Sequence, residues 1–175
     1  NTDTGTLRFY KNGVDQGVAY DDLPLNKRYY FAISLFEPED GITFLKSEYS
    51  VRKFKRVSNA SVPDRPPAFE EVANKKEAFP VYYKNKDIVI QNNVVRKVSD
   101  GWDNGIILLG EPKRTGKITW GFQVIRGSKN TIGVCLSSVD RNGYVNKTEK
   151  GWGYYAGGRI GTGGPARKRF GESFK

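Results

Sequence analysis

The sequence predicts an all-β protein, an antiparallel two-sheet β-sandwich of the jelly-roll kind. Three observations carry this. Aromatic residues make up 13% of the 175 residues, and Phe, Tyr and Trp favour pleated, half-buried surfaces. Twenty glycines and eight prolines fall in short clusters, which is the punctuation that many short strands need. Nowhere does an amphipathic helical period run for ten or more residues, so a sandwich or jelly roll is favoured over an α/β fold.

Taken in order, Leu7 and Phe9 alternate with Arg8 and Tyr10 up to Lys11-Asn12-Gly13. Asn-Gly between alternating runs is the strongest short hairpin signal, because both turn positions tolerate positive φ. A return strand follows from Val14 to Tyr20. After a turn at Leu23-Pro24-Leu25-Asn26, residues 29–36 are almost continuously apolar, as a strand covered on both faces requires. Glu37-Pro38-Glu39-Asp40-Gly41 turns the chain into a further strand over 42–45. Between residues 47 and 80 composition shifts: Ser58, Asn59, Ser61, Pro63, Asp64, Pro66 and Pro67 break any period. This stretch reads as a linker with a short helical piece over 69–76, and its run 52–56 as a solvated basic face. Strand signals resume over 81–83, 87–91, 94–98, 105–109, 117–126 and 131–137. In the fifth of these, Ile118, Trp120, Phe122 and Val124 share one face, which should be core.

Composition then bounds the function. At this length a single domain buries about 70% of its unfolded surface and needs no disulfide or metal. Cys135 stands alone, so no intramolecular disulfide is possible, and the expected compartment is intracellular, cytoplasmic or nuclear. There is no apolar run near the length of a membrane span and no signal-like start. The chain begins at Asn1 and has no Met, which reads as an excised piece. The two sequons at Asn59 and Asn146 matter only in a secreted chain. A net charge of +10 favours acidic partners, nucleic acid among them, although the basic residues are dispersed and form no long tail.

Catalytic chemistry finds little support. Without any His, His-based triads and most metal sites are excluded, and one Cys cannot build a Cys-rich zinc site. No catalytic residue, metal or cofactor is expected. Asp100 and Asp103 lie in a turn context that suits capping, and Cys135, inside an apolar strand, reads as an inert buried thiol. The glycines of 157–164 lack the strand before and helix after that would aim amides at a phosphate, so a flexible surface loop is expected there. Trp102, Trp120 and Trp152 are assigned to the core ahead of a base-stacking platform.

Several motifs carry a resemblance. Gly116-Lys117-Ile118-Thr119-Trp120-Gly121-Phe122, Ile132-Gly133-Val134, Asn142-Gly143-Tyr144, Gly151-Trp152-Gly153-Tyr154 and Gly171-Glu172-Ser173-Phe174 resemble successive motifs of the first half of a SPRY domain. Gly5-Thr6-Leu7-Arg8-Phe9-Tyr10-Lys11-Asn12-Gly13, with the apolar strand 29–36, resembles the second half. Residues 1–46 and 81–175, about four-fifths of the chain, take part. Gly121 departs from the acidic residue usual in the family. The halves stand in reversed order, which fits either a window across tandem repeats or one permuted sandwich. The aliphatic strand that the family places between them is missing, so a hairpin edge should be left without its partner.

The resemblance implies a non-enzymatic protein–protein interaction module that meets peptides or folded partners through loops at one rim. Loops there can vary while the scaffold stays fixed. The candidate partner-binding residues are Lys113, Arg114, Arg126, Lys129, Arg141, Asn142, Tyr144, Arg167, Lys168 and Arg169. Arginine would grip carboxylates and Tyr144 would add amphipathic area, so an acidic peptide is the expected ligand. The alternatives are a structural role inside a large assembly (a ubiquitin ligase, a giant channel or a cytoskeletal complex) and polyanion binding through the basic surface.

Overall fold

The computed structural model describes residues 1–50, 80–99, 105–163 and 168–173. Among them the chain is all-β and antiparallel, a sandwich of two layers. In chain order the strands are β1 (Leu7–Lys11), β2 (Val14–Tyr20), β3 (Tyr29–Leu35), β4 (Gly41–Ser50), β5 (Val81–Lys84), β6 (Ile88–Gln91) and β7 (Val94–Lys97). They continue with β8 (Gly105–Lys113), β9 (Lys117–Arg126), β10 (Thr131–Leu136), β11 (Gly151–Tyr155), β12 (Arg159–Gly161) and β13 (Lys168–Arg169). Residues 51–79 of the expected linker, with its helical piece, Trp102 with its flanking aspartates, and Arg167 lie outside the described residues.

One layer is a seven-stranded sheet in the order β13-β12-β11-β10-β3-β8-β5. The other combines a four-stranded sheet, β6-β7-β4-β9, with the separate ribbon β1-β2. Strands from the first 46 residues and from residues after 80 share both large sheets: β3 lies between β10 and β8, and β4 between β7 and β9.

The pleat sorts β3 by parity. Tyr29, Phe31, Ile33 and Leu35 face inward, while Tyr30, Ala32 and Ser34 face outward, and all seven are buried. Inward, Phe31, Ile33, Leu35, Ile107, Leu109 and Ile132 meet Ile42, Phe44, Ile88 and Val95 of the opposing sheet. Trp120, Phe122 and Val124 pack against that core, as their alternation requires. Beside it, Phe9 and Tyr20 of the ribbon pack on Val134, Trp152, Tyr154 and Ile160. The Tyr20 hydroxyl lies 3.0 Å from the Gly153 carbonyl and 2.8 Å from that of Gly161, which ties β2 to β11 and β12.

Three differences from the sequence reading have local causes. β4 runs past Leu45 to Ser50 because the ten-residue β9 offers a ladder as far as Lys117. β11 escaped the alternation test because its small positions are glycines: a Cβ on Gly151 would lie 1.5 Å from the Val145 carbonyl oxygen, and one on Gly133 of β10 1.9 Å from that of Trp152. The expected flexible loop over 157–164 contains β12 instead. Gly158, at φ 77°, reverses the chain so that Ile160 enters the core. Among the described residues β9 has a ladder on one side only, and the ribbon joins its layer at one end through Thr2 N–H to the Gly116 carbonyl (3.0 Å) and Gly116 N–H to Asp3 Oδ1 (2.8 Å).

Candidate functional site

The outer face of the seven-stranded sheet carries its own apolar cluster: Tyr30, Ala32, Leu108, Cys135, Val139 and Val145, with Tyr83 packed against them. The loop between β10 and β11 crosses this face. Val139 and Val145 anchor it, and the Val145 N–H donates to Ser34 Oγ at 2.8 Å. Asn146 Nδ2 donates to the Tyr155 hydroxyl and, at 2.9 Å, to the Gly161 carbonyl. At the loop's tip, Asp140 Oδ1 accepts the Asn142 N–H (3.0 Å) and Oδ2 accepts Lys147 Nζ (3.3 Å). These two contacts, the backbone one first, hold the Asp140 carboxyl below its ordinary range.

This loop sets Arg141 over β5. Its guanidinium carbon lies 4.7 Å from the Tyr83 ring centroid and 5.9 Å from that of Tyr82. Consecutive strand residues ordinarily point to opposite faces. A register shift between Val81 and Tyr83 breaks the alternation, so both tyrosines reach the outer face. Tyr82 lies 4.3 Å, centroid to centroid, from the ring of buried Tyr30 yet is 51% exposed, with Val81 beside it 41% exposed. The result is an accessible aromatic strip capped by a cation that has no carboxylate partner among the described residues. Desolvation behind the strip pushes the Cys135 thiol up to about 12, so this buried sulfur stays protonated and unreactive.

The remaining sequence-derived candidates spread over the molecule. Asn142 is exposed in the same loop as Arg141, and the half-buried Tyr144 ring stands 6.0 Å from that of Phe36. Arg126 and Lys129 lie at the end of the sandwich that holds the β3–β4 turn, with Lys129 Nζ 2.7 Å from Glu37 Oε1. Lys113 and exposed Arg114 lie at the opposite end, where Lys113 Nζ meets Glu111 Oε2 at 2.9 Å. Lys168 and Arg169 form the edge strand β13, on the far side of the seven-stranded sheet from β5. The structure therefore gathers Arg141, Asn142 and Tyr144 in one loop, links Lys129 to it through Glu37 and the neighbouring Phe36, and places Lys168 and Arg169 at the other edge of the sheet.

Sequence reasoning missed Tyr82 and Tyr83 as surface residues and missed Arg159 and Lys11 beside β13. The adjacent Tyr-Tyr pair was a signal, since one of two neighbours in an edge strand must face outward. That both do so depends on a bulge that no residue type announces. No family model matches the chain, and neither a curated protein nor a solved structure matches it.

Proposed function

We propose that this chain is a non-enzymatic recognition module that binds a partner protein or acidic peptide on the outer face of its seven-stranded sheet, around Arg141, Tyr82 and Tyr83. The observation that carries the reading is the placement of Arg141 4.7 Å over Tyr83 beside the exposed ring of Tyr82. Arg and Tyr are the residue types that dominate interface energetics, because they combine large contact area with directional polar groups. A ligand carboxylate would pair with the guanidinium while an apolar neighbour covers the rings. The SPRY-like motifs support the same reading, since domains of that family present loops to partners on a fixed sandwich.

The test is the affinity of the full chain for a hexaglutamate peptide, measured by titration calorimetry for the parent protein, R141A and R114A. R141A should weaken binding about tenfold or more, as loss of a central Arg anchor does, and R114A should leave it within about twofold. Equal effects of both changes, with binding that collapses steeply in added salt, point to diffuse polyanion attraction and contradict the proposal.

A second reading, a structural domain completed by a neighbour inside a larger assembly, is favoured by one observation. β9 pairs with β4 on one side and presents its other edge without a ladder among the described residues. An extended segment from a partner could add there by main-chain pairing.

A further inference from the structure

The far edge of the seven-stranded sheet holds a second charged site. Arg159 of β12 and Arg169 of β13 are direct cross-strand partners. Opposed residues in an antiparallel pair bring their Cβ atoms to about 5 Å, and like charges so placed repel. Among the described residues neither guanidinium has a carboxylate partner. The sheet thus places two arginines opposite each other at an exposed edge, where like charges disfavour the free protein.

Both arginines line an open groove of about 800 Å³ with Lys11, Gly157, Gly171 and Glu172. Glu172 already neutralises Lys11, whose Nζ lies 2.9 Å from Oε2 and also donates to the Ser173 carbonyl at 2.9 Å. Three cations and one carboxylate leave two positive charges in the groove. Gly157 adds no bulk, with nothing within 4 Å of where its Cβ would stand.

The geometry points to a binding site for a phosphorylated side chain of a partner polypeptide, its phosphoryl group held between Arg159 and Arg169. A phosphomonoester carries about −1.5 to −2 charges at neutral pH, which balances the groove, whereas one carboxylate balances half of it. Two guanidinium forks supply donors that suit phosphoryl oxygens. A bound dianion also turns the repulsion between the arginines into attraction toward a shared centre. The groove has room for the residue that carries the phosphate and for its chain neighbours. This site stands apart from the Arg141 face, at the opposite edge of the same sheet.

The test uses the full ¹⁵N-labelled chain titrated with three probes at constant ionic strength: inorganic phosphate, the peptide Ac-Ala-pSer-Ala-NH2, and its unphosphorylated form. The phosphopeptide should shift the amides of Gly157, Arg159, Arg169 and Gly171 saturably, and more tightly than inorganic phosphate does. The unphosphorylated peptide should leave them in place. Affinity should fall as pH drops through about 6, where the phosphate loses its second charge. R159Q and R169Q should each weaken the phosphopeptide about tenfold or more, while their melting temperatures without ligand stay level or rise as the repulsion is relieved. Absence of saturable shifts, inorganic phosphate binding as tightly as the phosphopeptide, or unchanged affinity in both variants overturns the proposal. Because R141A leaves this groove intact, a failure here and a failure at the Arg141 face are read separately.

Discussion

Phe31 and Trp120 stack across the two layers of the sandwich, their ring centroids 5.0 Å apart and their planes inclined by 22°. One ring comes from the first 46 residues and the other from the stretch after residue 80. Trp120 also packs against the cluster beneath the ribbon, so this contact joins the two parts of the inner core. Truncating Phe31 to alanine should cost about 3–5 kcal/mol, the usual range for a buried aromatic. A double-mutant cycle with Trp120→Ala in urea should show a coupling of about 0.5–1.5 kcal/mol. Strictly additive losses would mean that the rings do not support each other.

Gly133 and Gly151 lie where strand backbone passes close by, so an added methyl group meets carbonyl oxygens at 1.9 Å and 1.5 Å. These neighbours are backbone and cannot swing aside. Gly133→Ala and Gly151→Ala should each destabilise the chain by roughly 3 kcal/mol or more. Gly157→Ala, in open space, should change stability by less than about 0.5 kcal/mol. Thermal melts of the three variants check the contrast.

Asp40 gives a pH signature. Its carboxylate is buried in the β3–β4 turn and accepts the N–H groups of Phe36 (3.0 Å) and Glu37 (2.9 Å). Burial outweighs those bonds and raises its pKa above the ordinary carboxyl value, against a smaller opposing pull from buried Lys97. The folded state therefore keeps a proton that the unfolded state has already lost. Stability from this group is present below the ordinary carboxyl pKa and declines as pH rises through the raised one. Asp40→Asn should flatten that slope just above the ordinary carboxyl pKa, as read from urea unfolding over a pH series. An unchanged slope would place the titration elsewhere.

Cys135 is fully buried, and its thiol pKa of about 12 leaves almost no thiolate at pH 8. Ellman's reagent should label the native chain many times more slowly than the chain in denaturant. Rapid native labelling would show that the outer-face cluster opens readily.

Much of this fold was legible because its signals are local. Asn12-Gly13 announced the first hairpin, the apolar run 29–36 announced a strand buried on both faces, and the alternation gave β9 its inner side from Trp120 to Val124, although Ile118, expected on the same face, joins none of the core clusters. What escaped depends on contacts distant in sequence. β11 hides behind glycines whose smallness serves Val145 and Thr131. β12 exists because Gly158 turns the chain back, and the Tyr82–Tyr83 surface depends on a bulge against β8. The candidate site was legible in part for the same reason. Arg141, Asn142 and Tyr144 share one loop, whereas joining Arg169 to Arg159 requires the β12–β13 register.

Recognition at the outer face around Arg141 is tested most directly by chemical-shift mapping with hexaglutamate. Saturable shifts should centre on the amides of residues 81–84 and 139–146, and R141A should abolish them. Shifts scattered over all basic residues, or centred away from Tyr82 and Tyr83, would contradict it.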